Sequence, residues 1–217
     1  MTQTTSKTPQ PVADGERWGE FVFADVPSAV TVVATPAVVE AAGDEELIPF
    51  DHPGYREFKT PEDLARFTKA RAMVLVPRFV PSGSELAGAW AIETMDGRIS
   101  DTGVAYRFAG SAQTIRDPDI WIASTFRVPR PTVVDATKSV RANGQVRGVP
   151  LKVTVRGHRG IYLPFDNPPG LDPSLQFNSA VSWFDDDGVF WSVQGRNLDL
   201  NTLMNIVDSL DQLVVGR

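Results

Sequence analysis

The chain of 217 residues contains no cysteine and only two histidines. Without cysteine there can be no disulfide, no thiolate metal site and no thiol nucleophile. No apolar run approaches the roughly 20 residues that a membrane-crossing helix needs. The first residues, MTQTTSKTPQPVADGER, hold no apolar stretch of the kind a secretory leader carries. Positive charge is also short, with 21 Lys and Arg against 27 Asp and Glu and a net charge of −6. That balance argues against nucleic acid as a partner, because phosphate binding relies on basic surface. No glycine-rich phosphate loop or dinucleotide fingerprint occurs.

What is present suits one globular domain. Apolar residues make up 42% and charged residues 22%, enough to fill a single core. The 17 glycines and 17 prolines, set between short β-branched and aromatic runs, indicate many turns and much sheet. Residues 1–17 are polar and read as a flexible lead or linker. Residues 18–217 read as one α+β domain, of which 18–58 is a variable N-terminal part. "WGEFVFADV" alternates like a strand, and a further strand over 29–34 and a short helix over 36–42 follow. "TPEDLARF" has the chemistry of a helix start. Thr60 can cap, Pro61 takes the first helical position where its missing N–H is harmless, and Asp63 lies three residues on. Pro77 and Pro81 then forbid both a continued helix and a central strand. Strands are expected over 86–93, 103–109, 119–126, 146–156 and 159–164, while 132–142 is ambiguous.

The most charge-dense stretch is Asp185, Asp186 and Asp187 in "VSWFDDDGVFWSVQ". Two aromatic and β-branched runs flank it, and Gly188 supplies the positive φ that a hairpin loop needs, so it reads as a turn. A calcium or magnesium site would need further oxygen ligands converging on it, and the EF-hand spacing is absent. Asp199 can cap a C-terminal amphipathic helix over about 199–213, with Leu200, Leu203, Met204, Val207 and Leu210 on one stripe.

Two segments together resemble a bacterial family known as a domain of unknown function, found in ectodomains of anti-sigma-factor-like proteins. That family is distantly related to the lipoprotein-carrier and sigma-regulator fold (LolA and RseB types). The first segment is Leu64–Ala89, a helix followed by "VPRFVPSG", which matches an "lPxxlPxG" pattern. The second is Val181–Leu210, "VSWFDDDGVFWSVQGRNLDLNTLMNIVDSL", a hairpin and helix in the family's order and spacing. They cover roughly a quarter of the chain. Residues 1–58 have no counterpart, and Asn201 and Thr202 stand where the family has acidic residues. The resemblance implies a strongly curved antiparallel sheet, an open half-barrel, with a few helices on its concave face. It also implies an extracytoplasmic, non-enzymatic binding or sensory domain attached to a membrane through a segment outside this chain. Taken without the resemblance, the chain reads as cytoplasmic.

Two sets of residues are candidate binding surfaces. Lys138, Arg141, Arg147, Lys152, Arg156 and Arg159 form a stretch without a carboxylate, so the rest of the chain carries −12. Such a stretch is a solvated face unless it meets an acidic protein partner or an anionic membrane surface. Trp90, Trp121, Trp183 and Trp191 either pack the core or line an apolar cleft for a lipid or acyl ligand. A lipid or lipoprotein carrier and an accessory subunit of a larger complex are the alternatives to the sensory reading. No catalytic residue, metal ligand or cofactor site is assigned. His52 and His158 are the only histidines, each in a setting more typical of a surface residue than of a base or ligand, and Ser82 and Ser84 lack a strand–elbow–helix setting, so a hydrolase is disfavoured.

Overall fold

Fourteen strands and two helices account for the residues described by the computed structural model. These are 52–69, 71–126, 151–164 and 178–214, with the backbones of four short strands at 10–11, 17–18, 21–23 and 132–134. In chain order they are β1 (Gln10–Pro11), β2 (Arg17–Trp18), β3 (Phe21–Phe23), β4 (Tyr55–Phe58), α1 (Pro61–Thr68), β5 (Leu75–Pro77), β6 (Ser84–Glu93) and β7 (Ile99–Phe108). Then follow β8 (Ile120–Thr125), β9 (Thr132–Val134), β10 (Leu151–Val155), β11 (His158–Leu163), β12 (Asn178–Phe184), β13 (Phe190–Arg196), α2 (Leu200–Asp208) and β14 (Leu210–Gln212). The main sheet is antiparallel throughout and open, in the order β1-β10-β11-β12-β13-β8-β7-β6-β4. The fold is thus α+β, dominated by one antiparallel sheet.

Register explains where the core lies. Val104 of β7 pairs with Ile122 of β8, Ile122 with Val193 of β13, Val193 with Val181 of β12, and Val181 with Tyr162 of β11. Directly opposed residues share a face, so this row is one continuous apolar surface. Both helices cover it. Leu64 of α1 packs on Ala89 and Ala91 of β6, whose small side chains let the helix come close. Leu203, Ile206 and Val207 of α2 are wholly buried against β10, β12 and β13. Between them runs a ribbon in which β14 pairs antiparallel with β5. Leu75 and Leu210 of the ribbon join the α2 core, and Val74 and Val76 join the α1 core.

The helix starts follow the sequence chemistry. Thr60 accepts a hydrogen bond from the Asp63 N–H at 3.2 Å, and Asp199 accepts one from the Thr202 N–H at 2.8 Å. The C-terminal helix is shorter than its apolar stripe suggests. Ser209 bonds back to Ile206 O, and Leu210 turns into β14 with 1% of its surface exposed. An apolar residue at that position can be buried by helix or strand, so spacing alone does not separate the two.

Two more expectations change. "WGEFVFADV" is not one strand, because Arg17 and Trp18 pair antiparallel with Val22 and Phe21 and the chain reverses between them. Gln10 and Pro11, in the expected flexible lead, pair with Lys152 and Leu151 at the sheet's edge. Backbone pairing of this kind needs no side-chain pattern. The expected strand at 29–34 and helix at 36–42 lie outside the described residues.

Candidate functional site

The three aspartates close the β12–β13 hairpin. Gly188 donates to Asp185 O at 3.1 Å and holds φ +75°. Asp185 Oδ1 accepts from the Asp187 and Val189 N–H groups at 3.0 and 2.9 Å, and its Oδ2 accepts from Trp191 Nε1 at 2.8 Å. That carboxylate is therefore occupied by donors from the protein itself. Asp186 and Asp187 are exposed, and Asp186 lies 3.5 Å from His158 Nδ1. Among the described residues no three His, Asp or Glu side chains come together in a group that could hold a metal ion.

The basic stretch is only partly described. Lys138, Arg141 and Arg147 lie outside the described residues. Lys152 and Arg159 share one face of the β10–β11 hairpin, the face away from the helices, and Arg159 is exposed. Arg156 sits in the turn at φ +51°, and its Nη1 donates to Leu210 O at 2.7 Å, tying the hairpin to β14. The basic turn and the aspartate tip lie at the same end of the sheet, as the His158–Asp186 contact shows. Charges some 30 residues apart in sequence therefore partly offset one another, which lowers the local excess of positive charge.

The four tryptophans do not line one cleft. Trp183 and Trp191 oppose each other across β12 and β13 with rings stacked at 6.3 Å, on the face under α2. Trp90 and Trp121 meet edge to face at 5.7 Å on the other side of the sheet. The register sets this: Trp191 pairs with Ser124, and Trp90 pairs with Gly103 one step along the strands. Trp90, Trp183 and Trp191 are each no more than 3% exposed. Trp90 lies flat over Gly103, where a Cβ would come within 2.3 Å of its Nε1.

Buried polar side chains mostly pair across strands. Thr102 meets Ser124 at 2.8 Å, Ser182 meets Ser192 at 3.1 Å, and Thr125 donates to Asp101 at 2.8 Å. Arg196, 8% exposed at the side chain, lies 2.7 Å from Asp117 and 3.5 Å from the buried Asp119. Asp119 also accepts from the Phe108 N–H at 2.8 Å. These groups hold the end of β7, β8 and β13 together. Burial pushes the Tyr106 hydroxyl up to about 12, helped by Glu62. Burial and then Glu57 raise Tyr55 further. Both shifts run away from the neutral range in which an acid–base group works.

A second cluster surrounds a shallow concavity of about 280 Å³ lined by His52, Pro53, Gly54, Arg56, Glu93, Thr94 and Met95. Glu93 receives two guanidinium groups, Arg71 at 2.8 Å and Arg56 at 3.4 Å. Gly54 is essential to the floor, because a Cβ there would lie 1.8 Å from Glu93 O. Reading along the chain does not find this cluster, since Arg71 and Glu93 are 22 residues apart. The only local hint is the "HPG" turn, which by itself indicates a bend and nothing more.

Comparison of the chain with family models, curated proteins and solved structures gave no match.

Proposed function

We propose that this chain is a non-enzymatic binding or sensory domain of the lipoprotein-carrier and sigma-regulator type. In this reading it works outside the cytoplasmic membrane and is joined to it by a segment outside this chain. The observation that carries the reading is the ending. The β12–β13 hairpin, the Asp199 cap and α2 come in the order the resemblance implies, and α2 folds onto the same face as α1. In this reading the sheet curves as a half-barrel around its helices. The partner is an acidic protein or an anionic membrane surface, met by the basic stretch.

A lipid or lipoprotein carrier is the weaker reading. Leu203, Ile206 and Val207 are fully buried against the sheet, so an acyl chain could enter beneath α2 only by displacing it. The test is liposome flotation with and without anionic lipid, together with native mass spectrometry of protein taken from its own organism. Arg141, Arg147 and Arg159 are reversed to Glu, leaving Arg156 to hold Leu210. Salt-sensitive association that the triple variant loses supports docking. Equal behaviour of both proteins refutes the basic surface, and a co-purifying lipid would favour the carrier.

A further inference from the structure

We infer that the concavity beside β4 is a binding site for a small aliphatic monocarboxylate, with Arg56 as the group that receives the carboxylate. All three nitrogens of the Arg71 side chain are engaged. Its Nε donates to Thr68 O at 3.1 Å and its Nη2 to Phe67 O at 3.1 Å. Its Nη1 donates to Glu93 Oε1 at 2.8 Å and also reaches Gly97 O. Arg71 thus ties the end of α1 to the β6–β7 turn and neutralises Glu93.

Arg56 is different. Its side chain touches the other Glu93 oxygen only at 3.4 Å and makes no hydrogen bond among the described residues. Its guanidinium stands 5.4 Å from the centre of the Phe67 ring, a contact that holds the group in place while leaving its N–H donors uncommitted. The Phe67 ring faces Arg71 at the same distance. Arg56, Arg71 and Glu93 together leave one positive charge, and the neighbouring Arg98 is cancelled by Asp96 at 2.7 Å. A single positive charge matches a monoanion better than a phosphate dianion, and the guanidinium fork fits a carboxylate bidentately.

The rest of the lining suits an alkyl body. Pro53 and the fully exposed Met95 border the concavity, and Met is an adaptable apolar surface. His52 Nδ1 accepts from the Gly54 N–H at 3.0 Å, so the neutral ring carries its proton on Nε2 and offers a second donor. At about 280 Å³ the space falls just below the range of drug-sized sites, which limits the ligand to a short chain such as hexanoate.

This site is separate from the basic hairpin, and either can fail while the other stands. The experiment is an amide-resolved NMR titration of the whole chain with hexanoate, with hexanol as the uncharged control. Saturable shifts are expected at Gly54, Arg56, Glu93 and Thr94, with a dissociation constant on the order of millimolar for so small a ligand. Hexanol should bind at least about ten-fold more weakly, as should hexanoate to Arg56→Gln, with the spectrum still that of the folded chain. Arg98→Gln, which removes a nearby but paired cation, should stay within about two-fold of wild type. Shifts that never saturate, or that are the same in the two variants, would overturn the assignment.

Discussion

Replacing Asp185 should cost far more than replacing Asp186 or Asp187, although the three are adjacent and chemically identical. The difference lies in what each carboxylate accepts. Asp185 takes two backbone N–H groups and the indole N–H of Trp191, and Trp191 is only 3% exposed. Asp185→Ala orphans that buried donor, which costs about 1–3 kcal/mol, and weakens the turn, whose two N–H groups, one exposed and one half-buried, water can partly satisfy. The sum is about 2–4 kcal/mol, or roughly 4–16 °C in melting temperature for a chain of this size. Asp185→Asn keeps an acceptor for the backbone but turns its amide N–H₂ toward the indole N–H, so it should lose about 1–3 kcal/mol. Asp186→Asn and Asp187→Asn should stay within about 0.5 kcal/mol of wild type. Urea titration followed by tryptophan fluorescence reads all four variants. Equal stability of Asp185→Asn and Asp187→Asn would refute the assignment of Asp185 as the turn's acceptor. Calcium should leave every melting temperature unchanged, and a calcium-dependent rise that Asp185→Asn abolishes would reinstate a cation site.

Leu203→Ala should lose about 2–5 kcal/mol by leaving a cavity under α2, and Val207→Asp should prevent cooperative folding by burying an unpaired charge; wild-type melting in either would show the helix to be peripheral. Arg196→Ala should destabilise by about 3–5 kcal/mol, because Asp119 is left buried without its cation; restoration of stability by Asp119→Asn in the same chain is the expected signature. Gly103→Ala should displace Trp90 and lower stability by about 1–3 kcal/mol, read as a change in near-ultraviolet circular dichroism alongside the melting curve. Asp199→Ala should lose about 0.5–2 kcal/mol of helix cap. The Asp199 carboxyl is held below its ordinary value by the bonds from Thr202. Its contribution is therefore complete above the unfolded carboxyl pKa and disappears as the pH falls through the lower, folded value. The difference between wild type and Asp199→Ala should shrink in acid, and a difference independent of pH would remove the charged cap from the account.

The local features were the legible ones. A capping threonine, a proline at the first helical position and an apolar residue four places after the cap act within a single turn of helix, so Thr60, Pro61 and Leu64 could be read directly. The same holds for the aspartate tip, where Gly188 must take positive φ and both flanks must alternate. The end of α2 was not legible, because Leu210 satisfies the helical stripe and still pairs with Pro77 across a ribbon. The site at Arg56 was not legible either. Its character depends on which of two arginines engages Glu93 more fully, and only the approach of α1 to the β6–β7 turn makes that choice.

The sequence by itself determined the class of the molecule: an α+β domain rich in short strands, with two capped helices and a hairpin at Asp185. It did so because capping, turn chemistry and hydrophobic period depend on residues within reach of one another along the chain. Only the tertiary structure decided what those elements share. Strand register put Trp90 and Trp121 on one face and Trp183 and Trp191 on the other, since a shift of one residue in a strand exchanges its faces. Strand order set the basic turn beside the aspartates, and helix packing spent Arg71 on Glu93 while leaving Arg56 with donors uncommitted. Which charges cancel and which aromatics meet are consequences of distance in space, and spacing along the chain does not contain them.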